Sequence, residues 1–212
     1  MPEIVNAENI NIDNNIDEAV SLAKKLYFGG SIFIYPTDTI YGIGANPLNE
    51  KAVKKIDKIK GRDERKKNIL LINNIDNLLE YVDVQSEKYL DFLLAVWPNP
   101  VSVVLTLNDK YKNLLHSSNC AFRIPNHRFC LRLLEELKMP LISTSVNKSN
   151  NPPINEPSVI MEEFANEIDT IFYSNNKNYY EASTIIDLSD MKPKVLRQGK
   201  MKVDEMIEKY LN

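Results

Sequence analysis

The chain has 212 residues, of which 43% are hydrophobic and 26% are charged, and its 26 basic and 29 acidic side chains leave a net charge of −3. This composition is ordinary for a globular protein with a buried core, and the small negative charge excludes a general electrostatic binder of nucleic acids or membranes. No apolar run reaches the roughly 18 residues of a membrane span. The N-terminus lacks a secretory signal pattern, so we predict a cytoplasmic protein without membrane contact.

Cysteine and histidine are both rare, with only Cys120, Cys130, His116 and His127 in the chain. The cysteines have no metal-like spacing, so we predict free thiols in a reducing compartment. Because the chain has only two histidines, a multi-histidine metal site is excluded. We therefore expect no metal held by protein ligands alone.

Strands and helices are predicted to alternate. A helix over 17–28 ends at Gly29-Gly30, a buried strand follows over 31–35, and 36–44 is predicted as turn-like. Further helices are predicted over 49–60, 75–82, 86–96, 128–138, 159–166 and 203–211. Further strands are predicted over 69–72, 101–107, 121–124, 141–144, 168–173, 183–188 and 195–196. This order predicts one α/β domain with a mixed sheet, and no linker divides it.

The segment from Tyr35 to Asn46 (YPTDTIYGIGAN) is the first that predicts chemistry. It places Thr37, Asp38 and Thr39 at the end of a buried strand, where ligands often bind in α/β sheets. A turn capped by its own threonine and aspartate side chains explains the same pattern. The segment alone therefore leaves a ligand site and a self-capped turn open.

A basic cluster begins at the end of the predicted helix 49–60, with Lys60, Gly61 and Arg62. Arginine supplies paired hydrogen-bond donors and lysine a point charge, and the two together suit a phosphate group. The alternative is a solvated helix end whose cations interact with the helix dipole.

Polar side chains also occur in three later segments. Arg123 lies in an apolar strand, where its guanidinium needs an anion, either a ligand or a structural carboxylate. Ser143, Ser145 and Asn147 alternate along an extended segment, so their side chains project to one side and can bind phosphate or sugar oxygens. A serine or asparagine turn is the alternative there.

The last two motifs are the segment from Ser183 to Asp187 and the Arg197-Gln-Gly199 segment. Three of the six arginines lie in the motifs, and no motif contains a nucleophile beside a base. Chemistry at this site would therefore depend on positioning and electrostatic stabilisation, as in phosphoryl and nucleotidyl transfer.

In chain order, the motifs PTDTxYGxG, KGR, WPxP, RIP, SxNxS, STI and RxG resemble the Sua5/YciO/YrdC family over about residues 16–200. The resemblance implies an α/β fold, a YrdC-like single domain over 1–212 with an open twisted mixed sheet and helices around a positively charged concave groove. The chain resembles the short bacterial type, without the extra C-terminal domain of long members.

Members of this family are L-threonylcarbamoyladenylate synthases. The resemblance implies that the chain makes threonylcarbamoyl-AMP and pyrophosphate from L-threonine, bicarbonate and ATP. The product serves the synthesis of N6-threonylcarbamoyladenosine in tRNA, which implies a downstream threonylcarbamoyl transferase complex and a transient contact with tRNA. ATP is then a substrate, and its phosphates would hold Mg²⁺, because the sequence offers no carboxylate cage.

By motif position, the resemblance also assigns two sets of site residues. The ATP set, in which Lys60 and Arg62 act electrostatically, is Lys60, Arg62, Ser145, Asn147 and Arg197. The L-threonine set, in which Arg123 suits the amino-acid carboxylate, is Thr37, Thr39, Arg123, Ser143 and Ser183. The resemblance implies no protein nucleophile, no general base and no metal ligand.

Six positions depart from the family pattern, namely Asp63, Leu71, Asn99, Asn119, Val146 and Asn150. The changes at Asp63, Asn99 and Asn150 leave open a paralogue of the same fold with another nucleotide or carbamoyl substrate. The basic cluster over 60–67 leaves open a non-catalytic RNA-binding module. Asn99 and Asn150 stand where the family has glycine, and asparagine tolerates left-handed backbone better than other side chains do. We therefore predict positive φ at both asparagines.

Overall fold

Strands and helices alternate in a computed structural model that describes residues 7–61, 68–84, 86–176, 180–190 and 192–211. The strands are β1 (Glu8–Asn11), β2 (Phe33–Tyr35), β3 (Gly42–Gly44), β4 (Ile69–Leu71), β5 (Val101–Thr106), β6 (Asn119–Arg123), β7 (Leu141–Ser145), β8 (Thr170–Tyr173), β9 (Thr184–Asp187) and β10 (Lys194–Arg197). The helices are α1 (Ile16–Gly29), α2 (Glu50–Lys60), α3 (Ile75–Leu79), α4 (Glu87–Val96), α5 (Asp109–Leu114), α6 (Arg128–Leu137), α7 (Pro157–Phe164) and α8 (Asp204–Leu211).

The described strands form one mixed sheet in the order β1-β8-β2-β3-β7-β4-β6-β5-β9-β10. The pairs β1/β8, β2/β8, β4/β6 and β5/β9 are parallel. The pairs β2/β3, β3/β7, β4/β7, β5/β6 and β9/β10 are antiparallel. The predicted single α/β domain with a mixed sheet and helices is confirmed, whereas the charge of the implied groove stays a prediction.

The two faces of the sheet bury separate apolar clusters. One cluster joins the buried faces of α1 and α6 to side chains such as Tyr35, Leu71 and Leu141. The other joins the opposite face, which includes Leu70 and Phe122, to α2, α4 and α7. None of the described helices has the length and apolar character that a bilayer crossing requires.

Helix α2 shows how local sequence fixes an element next to the site. The Asn49 side chain caps it by accepting a hydrogen bond from the Ala52 N–H at 3.0 Å. Its buried residues Ala52, Ile56 and Ile59 recur at helical spacing. Gly61 ends the helix in the left-handed conformation, with φ 57°. Lys60 is therefore fixed as the last helical residue.

Three elements lie where no helix or strand was predicted. Strand β3 falls in the segment predicted as a turn, and its Gly42 and Ile43 pair with both β2 and β7. Strand β1 is short and polar, and its pairing with β8 brings together residues about 160 positions apart. Helix α5 has only six residues, too few to show a period, although Asn108 caps it by accepting from the Tyr111 N–H at 3.1 Å.

The predicted backbone conformations of the two asparagines have different outcomes. Asn150 has φ 69°, so positive φ is confirmed there. The prediction for Asn99 is wrong, because Asn99 is not among the described residues with positive φ. Its side-chain amide instead donates to the Val96 carbonyl at 2.9 Å, and its own carbonyl accepts from the Val101 N–H at 2.7 Å. This side-chain contact, which glycine cannot make, gives asparagine a separate role at that position.

Candidate functional site

A cavity of about 180 Å³ opens on the sheet face that α1 and α6 cover in part. It is lined by six of the ten residues predicted to bind substrates: Thr39, Arg123, Ser143, Ser145, Ser183 and Arg197. Apolar side chains complete much of the wall: Ile40, Tyr41, Ile69, Leu71 and Ile185. The cavity therefore combines two guanidinium groups with hydroxyls and an apolar surface.

Strand register brings these residues together from distant parts of the sequence. Leu71 of β4 lies opposite Arg123 of β6, and Ile69 lies opposite Ser143 of β7. Residues opposite each other, or two apart along a strand, share one face of the sheet. Arg123, Ser143 and Ser145 therefore point to the same side, as the alternation in the sequence predicts.

Arg123 is the most buried cation of the cavity, with 3% of its surface exposed. Its Nη2 donates to Asp38 Oδ1 at 2.6 Å, and its Nη1 donates to Thr39 Oγ1 at 2.8 Å. The structural carboxylate considered from the sequence is therefore Asp38, and the same guanidinium still lines the cavity. Arg123 Nε and Asp38 Oδ2 are buried without a hydrogen-bond partner.

Arg197 lies on the other side of the cavity, and it donates hydrogen bonds to uncharged oxygens of Ser183. Its Nε and Nη2 donate to the Ser183 carbonyl at 3.0 and 2.8 Å, and Nη2 also lies 3.2 Å from Ser183 Oγ. Desolvation lowers the pKa of Arg197, and the positive charge of Arg123 lowers it further. An anion in the cavity would relieve this repulsion between the two cations.

The glycine of the RxG motif lets the Arg197 segment lie against residues 182–183, just before β9. A Cβ at Gly199 would lie 2.2 Å from the Ala182 carbonyl oxygen, so a larger residue would push the segment away. The Gly199 N–H donates to Thr184 Oγ1 at 3.0 Å. This close approach explains the spacing of arginine and glycine in the motif.

Lys60 and Asn147 form a second cluster that meets the cavity at Ser145. The Lys60 ammonium donates to the Ser145 carbonyl, to Asn147 Oδ1 at 2.7 Å and to the Asn147 carbonyl at 3.1 Å. Ser145 Oγ donates to Asn147 Oδ1 at 2.6 Å. Lys60 is 4% exposed and Asn147 9% exposed. The hydrogen bonds from Lys60 therefore fix the turn after β7, and the positive charge of Lys60 lies next to that turn.

Two predicted site residues have other placements. Thr37 is buried and is not among the residues that line the cavity; its hydroxyl donates to the Ile40 carbonyl at 2.7 Å and accepts from the Thr39 N–H at 3.0 Å. The self-capped turn considered from the sequence is thus present, and it presents Thr39 to the cavity. Arg62, like Asp63, lies outside the described residues.

Two other residues of the site, Ser102 and Lys200, have weaker signals in the sequence. Ser102 is fully buried in the apolar strand β5, and its hydroxyl lies 2.9 Å from that of Ser183. A serine inside the run VSVVLTL was the available signal. Lys200 donates to the Asp38 carbonyl at 3.1 Å and so joins the two ends of the site. Asp38 itself was visible as the one acidic residue of the segment 35–46.

The His127 side chain is near enough to Asp38 and Arg123 to interact with their charges, and its Nδ1 is buried without a hydrogen-bond partner. Burial lowers the pKa of His127, and the charges of Asp38 and Arg123 act on it in opposite senses. Because the unfolded chain then binds more protons than the folded one below the unfolded pKa of about 6.5, the folded state loses stability as the pH falls through that value.

We expect the substitution His127→Gln to reduce this dependence. Urea denaturation from about pH 7.5 down to about pH 5.5 should give a smaller drop in the free energy of unfolding for the variant than for the native chain. His116→Gln, which alters an exposed histidine, is the control and should keep the native slope. Equal slopes for the native chain and His127→Gln would contradict the prediction.

Comparison with known proteins gives concordant matches. The Sua5/YciO/YrdC family model, described as "Telomere recombination", matches residues 25–199. A threonylcarbamoyl-AMP synthase of Pyrococcus abyssi is 30% identical over 205 residues, which are 95% of this chain and 60% of that protein. The chain therefore spans about three fifths of the length of this curated relative.

Solved structures share the fold. P. abyssi Sua5 complexed with L-threonine matches with a TM-score of 0.85 and 27% identity, over 95% of this chain and 60% of that one. E. coli YciO matches with a TM-score of 0.83 and 22% identity, over 94% of this chain and 98% of that one. The YciO likeness bears on the fold alone.

Proposed function

Because the chain belongs to the Sua5/YciO/YrdC family, we propose that it is an L-threonylcarbamoyladenylate synthase that converts L-threonine, bicarbonate and ATP to threonylcarbamoyl-AMP and pyrophosphate. The observation that carries the proposal is the cavity in which Arg123 and Arg197 face one another beside the Lys60–Ser145–Asn147 cluster. Two anionic reactants have to meet in this reaction, and the cavity supplies separate cations for them.

The proposed chemistry needs no base from the protein at the transfer step. L-threonine and bicarbonate give an N-carboxylated threonine and water. The new carboxylate attacks the α-phosphorus of ATP, the bond to the β-phosphate oxygen breaks, and pyrophosphate leaves. Since the nucleophile is already an anion, the protein contributes position and charge stabilisation, which agrees with a sequence that offers no nucleophile–base pair.

At the amino-acid end, Arg123 keeps one N–H on each of Nη1 and Nη2 beyond those bonded to Asp38 and Thr39, and these would bind the threonine carboxylate. The hydroxyls of Thr39, Ser143 and Ser183 would complete that end. The apolar side chains of Leu71 and Ile185 would contact the threonine methyl group.

At the nucleotide end, Arg197, Ser145 and Asn147 would bind the phosphates, and Lys60 would add its charge while fixing the turn that carries them. Arg62 belongs to the same proposed set. The described lining of the cavity includes no carboxylate, so Mg²⁺ would enter with the nucleotide, held mainly by its phosphates.

The setting of the reaction is part of the proposal. The product is a mixed anhydride, so a downstream threonylcarbamoyl transferase complex in the cytoplasm would have to consume it before water does. A transient contact with tRNA would shorten that transfer.

The test is incubation of the purified chain with radiolabelled ATP, L-threonine and bicarbonate. We expect pyrophosphate release and a labelled threonylcarbamoyl-AMP that both require L-threonine. Arg197→Ala should lower the rate at least about tenfold, because it removes hydrogen-bond donors to the nucleotide phosphates. The control Arg128→Ala, which alters an exposed arginine, should leave the rate unchanged. Pyrophosphate release with another amino acid would favour a paralogue. Salt-dependent RNA binding without turnover would favour a binding module.

A further inference from the structure

The two guanidinium groups of the cavity are in different electrostatic states. Arg123 is paired with the Asp38 carboxylate at 2.6 Å, and the Asp38 side chain is itself only 12% exposed. Arg197 is exposed, and its partners in the described part of the chain are the neutral oxygens of Ser183. The positive charge of Arg123 is therefore balanced locally by Asp38, whereas that of Arg197 is not.

The Asp38 charge acts strongly on a ligand near Arg123, because the Arg123–Asp38 pair is buried and water screens buried charges less than surface charges. A phosphate carries about two negative charges near neutral pH. Asp38 is not among the residues that line the cavity, but its carboxylate lies 2.6 Å from Arg123 Nη2, so its charge would repel a phosphate bound to the other N–H groups of Arg123. An α-amino acid carries one carboxylate and one ammonium group. A zwitterion has no net charge, so Asp38 repels it less than it repels a phosphate, while the carboxylate of the zwitterion can still accept hydrogen bonds from Arg123.

We propose that Asp38 is a specificity-determining positioning residue, which restricts the Arg123 end of the cavity to zwitterionic α-amino acids and keeps phosphate groups out of it. This inference rests on the proposed function for the identity of the two ligands. The Asp38 carboxylate would thereby keep the threonine carboxylate and the nucleotide phosphates at separate ends of the cavity.

Asp38 also fixes the orientation of the Arg123 guanidinium. Its bond to Nη2, together with the bond from Nη1 to Thr39 Oγ1, fixes both ends of the guanidinium fork. The Asp38 backbone is held in turn by Lys200, whose ammonium donates to its carbonyl. The remaining N–H groups of Arg123 are thus held in one orientation.

The experiment compares inorganic phosphate binding by the native chain, Asp38→Asn and the double variant Asp38→Asn/Arg123→Met, followed by phosphorus NMR at fixed ionic strength. Asparagine has the shape of aspartate without its charge. We expect Asp38→Asn to gain a saturable phosphate site, at least about tenfold tighter than any at the Arg123 end of the native chain. The double variant should lose that gained site.

Threonine binding, measured by calorimetry on the same proteins, separates the inference from the proposed function. Asp38→Asn should bind L-threonine at least about tenfold more weakly, and phosphate should compete with it only in this variant. No threonine binding by the native chain would refute the proposed substrate but not the sorting of phosphate. No gained phosphate site in Asp38→Asn would overturn the inference.

Two controls keep the result specific. Asp17→Asn removes the same charge from a carboxylate that pairs with Arg132 on the exposed surface, and it should gain no saturable phosphate site. Asp38→Ser removes the charge with a smaller side chain and should gain the site as Asp38→Asn does. A gain in Asp17→Asn as well would overturn the inference, because any lost carboxylate would then give the same result.

Discussion

Replacement of Lys60 by methionine is expected to lower the rate of threonylcarbamoyl-AMP formation about a hundredfold to a thousandfold, the usual effect of losing a fixed charge-stabilising group. The ammonium bonds to the Ser145 carbonyl and to both oxygens of Asn147. The variant removes the positive charge under the phosphate-binding turn and leaves buried acceptors without a donor. We therefore also expect a loss of about 2–4 kcal/mol in the free energy of unfolding.

The measurement pairs urea denaturation with steady-state kinetics at a temperature where the variant remains folded. Lys58→Met is the matched control, because Lys58 lies on the same helix turn and is exposed. It should change stability by less than about 0.5 kcal/mol and leave the rate unchanged. If Lys60→Met matched this control in both measurements, the proposed electrostatic and structural roles of Lys60 would be wrong.

Replacement of Arg123 by methionine is the second large expected effect. It leaves the Asp38 carboxylate buried without its cation, which should cost about 3–5 kcal/mol of stability. It also removes the donors for the amino-acid carboxylate, so the KM for L-threonine should rise at least about a hundredfold. The KM for ATP should change far less, because Arg197 and the Lys60 cluster remain.

The double variant Asp38→Asn/Arg123→Met separates these two effects. It removes both charges of the pair, so it should recover most of the lost stability while threonine binding stays weak. Denaturation and threonine titration of the single and double variants give the complete cycle. Recovery of threonine affinity along with stability would contradict a direct role for Arg123 in substrate binding.

Local signals in the sequence predicted the elements next to the site because those signals act over a few residues. Asn49 and Gly61 delimit α2 as their capping chemistry requires. Asn150 has the left-handed backbone that asparagine tolerates, but Asn99 does not. At Asn99 the hydrogen bond from the side chain to the Val96 carbonyl explains the asparagine. Residue type alone does not distinguish such a contact from a left-handed turn.

The charge pairing of the site could not be predicted, because it depends on strands distant in sequence. Asp38 and Arg123 are 85 residues apart, and they meet only once β6 pairs with β4, which in turn pairs with β7. The sequence indicates that Arg123 needs an anion, but it does not indicate which residue supplies that anion. Burial of Thr37 has the same origin, since the turn that it caps closes against the rest of the site.

The most direct test of the account is a crystal structure with L-threonine and a non-hydrolysable ATP analogue bound together. The account predicts the threonine carboxylate within hydrogen-bonding distance of Arg123, and the nucleotide phosphates against Arg197, Ser145 and Asn147. Phosphate oxygens on Arg123, or threonine bound outside the cavity, would contradict it.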